Sequence, residues 1–157
     1  MTNEKPHVIA AAVVFCMDWR LYQKDAPQAI SLVQDVLGIV ECDVLVAAGV
    51  SKALVEPQIP ALRESLLWHI ETSQKLHHIN ALVLVDHDNK CGAYGMGDPI
   101  KEEQAHRANL ARAGVMLQED SRFAYLKIIL AIARIDEDNK VKKIEVVGEL
   151  PPRRALV

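Results

Sequence analysis

The chain has no excess of positive charge: 18 basic residues stand against 21 acidic ones, a formal net charge of −3. Aromatic residues make up only 4% of it, and no basic stripe interleaves with them. Both deficits argue against a nucleic-acid surface or an acidic membrane as partner, because each needs a basic face. Long hydrophobic runs are missing too. Residues 8–15 are apolar but too few for a signal peptide or a transmembrane helix, so a cytoplasmic location is the default expectation. Cysteine is sparse, with Cys16, Cys42 and Cys91 odd in number and far apart. That is no disulfide framework, and it leaves metal binding, catalysis or plain burial. With no internal repeat, low-complexity tract or linker, the 157 residues predict a single domain over 1–157 with a core of its own.

What is present is a rhythm of short apolar runs and helical stripes. Residues 8–15 and 81–85 are bounded apolar runs, the pattern of strands buried on both faces of a parallel sheet, and residues 43–48 read as a further strand closed by Gly49. Between them, residues 26–37 predict a helix with Asp25 as cap, Pro27 in the first turn and Gly38 as its end. Residues 50–56 read as a loop or short helix. Residues 61–77 read as a long helix with Leu62, Leu66 and Ile70 on its apolar face. Asp98-Pro99 starts another helix, expected to stop at Gly114, with Glu102 and Glu103 suiting its dipole. Residues 126–135 and 140–147, around the turn-like Asp136 to Asn139, predict a hairpin at the sheet edge. The sum is an α/β domain: three layers, a mostly parallel sheet flanked by helices, and a C-terminal antiparallel edge hairpin.

The chemistry gathers after two of these runs. Cys16 follows the first strand, with Asp18 and Arg20 beyond it, and His87 and Cys91 follow the third. α/β proteins build sites at the carboxyl ends of their strands, so neighbouring first and third strands would bring these side chains together. Two thiolates and a neutral imidazole suit zinc, and three protein ligands leave a fourth position for water. A zinc ion lowers the pKa of such a water toward neutrality. Continued alternation past Cys16 would put residues 16, 18 and 20 on one side. Arg20 could then hold Asp18 in a bidentate pair that keeps the carboxylate ionised and aimed.

Cys16-x-Asp18-x-Arg20 at one strand end, followed by a histidine and Cys91-Gly92 at a later one, resembles the β-class carbonic anhydrases. The run from Asp86-His87 to Cys91-Gly92-Ala93-Tyr94 is similar to their small prokaryotic branch. The resemblance covers about residues 8–94. It implies zinc bound by Cys16, His87 and Cys91, with Asp18 and Arg20 as the catalytic dyad. It also implies a homodimer or higher homo-oligomer with the active site near the subunit interface. The implied reaction is reversible hydration of carbon dioxide to bicarbonate by zinc-bound hydroxide, with no nucleic-acid or membrane partner.

Two departures stand out. The family sets two residues between the histidine and the second cysteine, whereas Asp88, Asn89 and Lys90 make three here. His87 is taken as the ligand because imidazole is the better zinc partner beside thiolates, with Asp88 as the alternative. Many members also carry Arg-Asn-Ala-Gly after the second strand, where this chain has Val46-Ala47-Ala48-Gly49, with Lys52 a little further on as a replacement. Other readings are a zinc-binding protein of this fold without turnover, hydrolysis of carbon disulfide or carbonyl sulfide by the same hydroxide, and a thiol enzyme using Cys91. Cys42 is expected to be structural, and Asp86 either to support a neighbouring group or to sit at the rim. His69 and His106 are expected to be solvated.

Overall fold

The computed structural model describes residues 9–155. Its centre is a five-stranded mixed sheet in the order β2-β1-β3-β4-β5, formed by β1 (Ala11–Phe15), β2 (Cys42–Val46), β3 (Ala81–His87), β4 (Lys127–Ile135) and β5 (Val141–Leu150). The first four strands are parallel, and β5 turns back antiparallel on β4. Helices α1 (Ala29–Leu37), α2 (Ser51–Val55), α3 (Pro60–His77) and α4 (Pro99–Glu119) complete the layers. The α/β class and the C-terminal antiparallel pair are as expected from the apolar runs. Val8, the expected start of the first strand, lies outside the described residues.

Why the runs are continuous is plain from burial. Every residue of β1 and all but the first of β3 are buried, because helices cover both faces of the sheet. The order of crossovers then fixes the site. From β1 the chain passes to β2 on one side, and from β2 it returns to lay β3 on the other side of β1. Between β1 and β3 the winding reverses, and at such a switch the loops leaving the carboxyl ends part and open a crevice. Phe15 pairs with Val85, so Cys16 and His87 emerge from the sheet almost level.

Several boundaries differ from expectation for physical reasons. α1 begins at Ala29 after an extended Gln28 with no side-chain cap, so Asp25 caps nothing and Pro27 stays outside. Burial of Ala29 and Val33 decides where this helix lies. On α3 the buried stripe is Leu66, Ile70 and Ser73, while Leu62 is 41% exposed one turn too early. The strand after Phe15 does not continue to alternate: residues Trp19–Tyr22 form a 3₁₀ turn, opened by Asp18 accepting from the Arg20 amide. β5 runs on to Leu150, three residues past the expected end.

α4 does not stop at Gly114 but continues to Glu119. The glycine is there for space. A methyl group at this position would come within 2.8 Å of Leu150 Cδ1 and 3.4 Å of Leu130 Cδ2, where the helix presses on β4 and β5. In an uncrowded helix interior, replacing glycine gains up to about 1 kcal/mol. Here Gly114→Val is expected to lower stability by about 1–3 kcal/mol in a urea titration, the overpacking cost. A gain in stability would show that the contact is slack.

Candidate metal centre

Three elements converge at the crevice. β1 delivers Cys16, β3 ends on His87, and the turn after β3 brings Cys91 back. One ligand atom from each of the three lies within 4.8 Å of the others, and all three residues are buried. This group can hold a metal ion. Asp88 is not in it: its Oδ1 accepts the Ile135 amide at 2.8 Å and its Oδ2 faces Arg134 Nη1 at 3.3 Å, at the end of β4.

The three-residue spacer is accommodated by backbone geometry. Asn89 and Lys90 both adopt left-handed conformations, at φ 59° and 67°. That pair of turns points two carbonyls at Arg20, whose Nη1 donates to Asn89 O at 2.7 Å and Nη2 to Lys90 O at 3.4 Å. From behind, Glu102 Oε1 accepts the amides of Lys90 and Cys91 at 3.1 and 3.3 Å. The Asn89 side chain donates to Asp136 O at 2.9 Å, tying the spacer to the β4–β5 turn.

Asp18 and Arg20 do meet, through the 3₁₀ turn. Nε reaches Oδ1 and Nη2 reaches Oδ2, each at 2.9 Å, so the pair is bidentate. The Arg20 hydrogen bonds outweigh partial burial and hold the Asp18 carboxyl below its ordinary value. Asp18 Oδ2 stands 3.6 Å from His87 Nε2. The ionised carboxylate therefore borders the space the three ligand atoms enclose.

The donor set fits a cation by its own electrostatics. His87 Nδ1 lies 2.9 Å from Asp88 O, and a carbonyl can only accept, so Nδ1 carries the hydrogen. Nε2 is then the free lone pair, and it is buried without a hydrogen-bond partner. Such an orphan costs about 1–3 kcal/mol unless something electrophilic completes it. Burial disfavours an imidazolium here, but the Cys16 thiolate outweighs it and draws His87 above its ordinary value, so without an ion a proton competes for the Nε2 lone pair. The thiols are similarly paired. Cys16 is brought down to about 4 by the Cys91 thiol, against the opposition of burial and with help from His87 and the Gly49 amide at 3.5 Å. Cys91 moves up, because ionising it would set a second thiolate beside the first in a buried site. One proton shared between two sulfurs is what a dication would displace.

Gly49 is needed where it stands. Its φ is 69°, and a methyl group on it would meet Ala93 Cβ at 2.6 Å. The next residue, Val50, is held at φ 25°, rare for a β-branched side chain. What fixes it is Ser51, whose amide and hydroxyl both donate to Asp86. Asp86, 2% exposed, is no rim acid: it also accepts from Tyr94 at 3.2 Å and from His106 Nδ1 at 2.8 Å. His106 is fully buried, contrary to the expectation of a solvated helix histidine. Glu102, His106 and Asn109 share one face of α4 and form a polar patch under the site. Their spacing of four and three was visible in the sequence, but a polar stripe reads first as a wet face.

The remaining residues fall outside the group. Cys42 lies in β2, its thiol pushed up by burial and by Asp43, and it is far from the other cysteines in the fold. His69 is exposed on α3. Trp19 and Met17, 64% and 66% exposed, flank Asp18, whereas Trp68 lies away on α3. Lys52 donates to Ala93 O at 2.8 Å and lies over the Tyr94 ring. A cleft of about 200 Å³ between Ala48, Lys52, Gly92 and Ala93 borders the turn that carries Cys91. A larger cavity, about 650 Å³, lies behind the spacer among Asp88, Glu103, Asp136 and Glu137, and none of the three ligand residues lines it.

No protein-family model matches the chain, and a search of curated proteins returns no match. Among the described residues no helix is long and apolar enough to cross a membrane.

The thiol pair gives a direct test. In metal-free protein carrying Cys42→Ser, ultraviolet thiolate absorbance should show one thiolate at neutral pH. It should be lost only as pH falls toward about 4, against an ordinary value of 9.0. The second thiol should stay protonated well above that ordinary value. Two thiols titrating together near 9 would show that the sulfurs do not interact.

Proposed function

We propose that this chain is a zinc enzyme of the β-carbonic anhydrase type, converting carbon dioxide and water to bicarbonate and a proton. The single observation that carries this reading is the grouping of Cys16, His87 and Cys91 beside a bidentate Asp18–Arg20 pair. Two sulfurs and one imidazole nitrogen favour zinc among common divalent ions. A zinc ion held there would supply Lewis-acid activation of water near neutral pH.

The chain's own residues have distinct tasks in this reading. Cys16 and Cys91 together balance the charge of a dication, and His87 adds a neutral donor whose direction the Asp88 carbonyl sets. Asp18, kept ionised by Arg20, accepts the hydrogen bond of the reacting oxygen and leaves its lone pair facing the substrate. Arg20 fixes both Asp18 and the spacer before Cys91, so carboxylate and ligand share one reference point. The nearby cleft, lined by Ala48, Ala53 and Ala93 together with Lys52 and Glu56, has room for a small substrate.

A second reading has an observation of its own. Asp18 Oδ2 stands 3.6 Å from His87 Nε2, outside the group of three, and a shift toward the two sulfurs would bring it to the fourth place on an ion. The chain would then bind zinc in a closed site without turnover. Metal analysis and stopped-flow carbon dioxide hydration separate the two. The enzyme reading expects about one zinc per chain, and a loss of roughly 100-fold or more in kcat/KM for Asp18→Ala. A zinc-loaded protein with no turnover, unchanged by that substitution, refutes it.

The same reading expects a homodimer. β2 is a sheet edge with Val44 and Val46 about half exposed, and an open apolar edge invites a second copy. Sedimentation should find a dimer that Val44→Lys converts to monomer. A monomeric wild-type chain at micromolar concentration would remove this part of the proposal.

A further inference from the structure

The chain carries a buried set of polar groups that the proposed chemistry does not use. Asp86 precedes His87 on β3. His106 Nδ1 reaches Asp86 Oδ2 at 2.8 Å, and its other nitrogen, Nε2, points toward Glu102 Oε1 at 3.7 Å. That same Glu102 oxygen accepts the amide of Cys91. All three side chains are at least nine-tenths buried, and His106 Nε2 has no hydrogen-bond partner. The Tyr94 ring packs on the imidazole at 4.1 Å between centroids. One face of α4 thus holds the residue before one candidate ligand through His106 and the backbone of another through Glu102, the two side chains facing each other at 3.7 Å without a hydrogen bond.

Burying three ionisable groups is unfavourable unless they serve one another. A chain that needed only to fill this space under β3 could have used leucine, as α4 does at Leu110 and Leu117. The polar solution does something leucine cannot. It fixes the distance between the end of β3 and the turn that follows it, across a spacer whose own backbone is left-handed at two residues.

We propose that His106 is a positioning residue, holding Asp86 and facing Glu102 across α4 so that His87 and Cys91 are presented to a metal ion at a set separation. This rests on the metal-binding reading of Cys16, His87 and Cys91, not on carbon dioxide hydration. His106 contacts neither the ion nor a substrate; it acts through the two carboxylates.

The test uses cobalt(II) as a spectroscopic stand-in for zinc, with affinity measured by competition against a chelator. Groups that orient metal ligands from behind typically contribute 10–100-fold in metal affinity. His106→Phe is therefore expected to weaken cobalt binding at least tenfold. The visible bands that report a tetrahedral thiolate site should shift or broaden. His106→Asn, which keeps a donor for Asp86 but lacks the arm toward Glu102, should fall between. A residue that only fills space would lower the melting temperature and leave affinity and spectrum of the folded protein unchanged; that result overturns the inference. If His106→Phe does not fold, Glu102→Ala carries the same expectation, because it frees the Cys91 amide. Wild-type protein that takes up no cobalt overturns the metal-binding reading itself, and the inference with it.

Discussion

The pairing of Phe15 with Val85 is the contact on which the rest of the crevice depends. It sets β1 and β3 side by side, parallel and in register, at the place where the winding of the sheet reverses. Beyond that pairing β1 and β3 part, and the structure spends several side chains on the backbone groups of the turns that follow them. Tyr22 donates its hydroxyl to Cys16 O, Arg20 donates to the carbonyls of Asn89 and Lys90, and Glu102 accepts the amides that follow. Buried backbone groups at a strand end demand partners whatever the function. The same partners hold Cys16, His87 and Cys91 within reach of one another.

Charge accounts for the next layer. The crevice gathers the carboxyl groups of Asp18, Asp86 and Glu102 around two cysteines, largely away from water. Arg20 neutralises one carboxylate. Asp86 is satisfied by four hydrogen bonds, two of them from Ser51 at the start of α2. What remains is the cysteine pair, which without a metal keeps a proton between its sulfurs, and the lone pair of His87. A dication answers both at once, which is why the donor set is more telling than any one of its members.

Much of this was legible in the residues. Bounded apolar runs at 81–85 and around 11–15 gave buried parallel strands because both faces of each are covered, and the ordered cysteine and histidine after them gave the group. What sequence could not show was anything depending on how α4 docks. Gly114 looked like a helix end because the tight contact with Leu130 and Leu150 is made by residues 16 and 36 positions away, too distant in the chain to be read from it. His106 and Glu102 looked like parts of a wet face for the same reason: only the approach of α4 to β3 turns that face inward. The Asp18–Arg20 contact was anticipated through the wrong geometry, since a 3₁₀ turn and not continued strand alternation brings the two together.

Arg20 grips the spacer by its carbonyl oxygens and Glu102 grips it by its amides, so neither reads the Lys90 side chain. At Lys90 the segment is thus specified by count and by curvature more than by chemistry. The Lys90 side chain is free to drift so long as it tolerates a left-handed backbone, whereas Asp88 and Asn89 are also held by their side chains at the end of β4, and adding or removing one residue would leave a guanidinium, a carboxylate or a ligand facing nothing. The length of the spacer is constrained more tightly than the identity of its third residue.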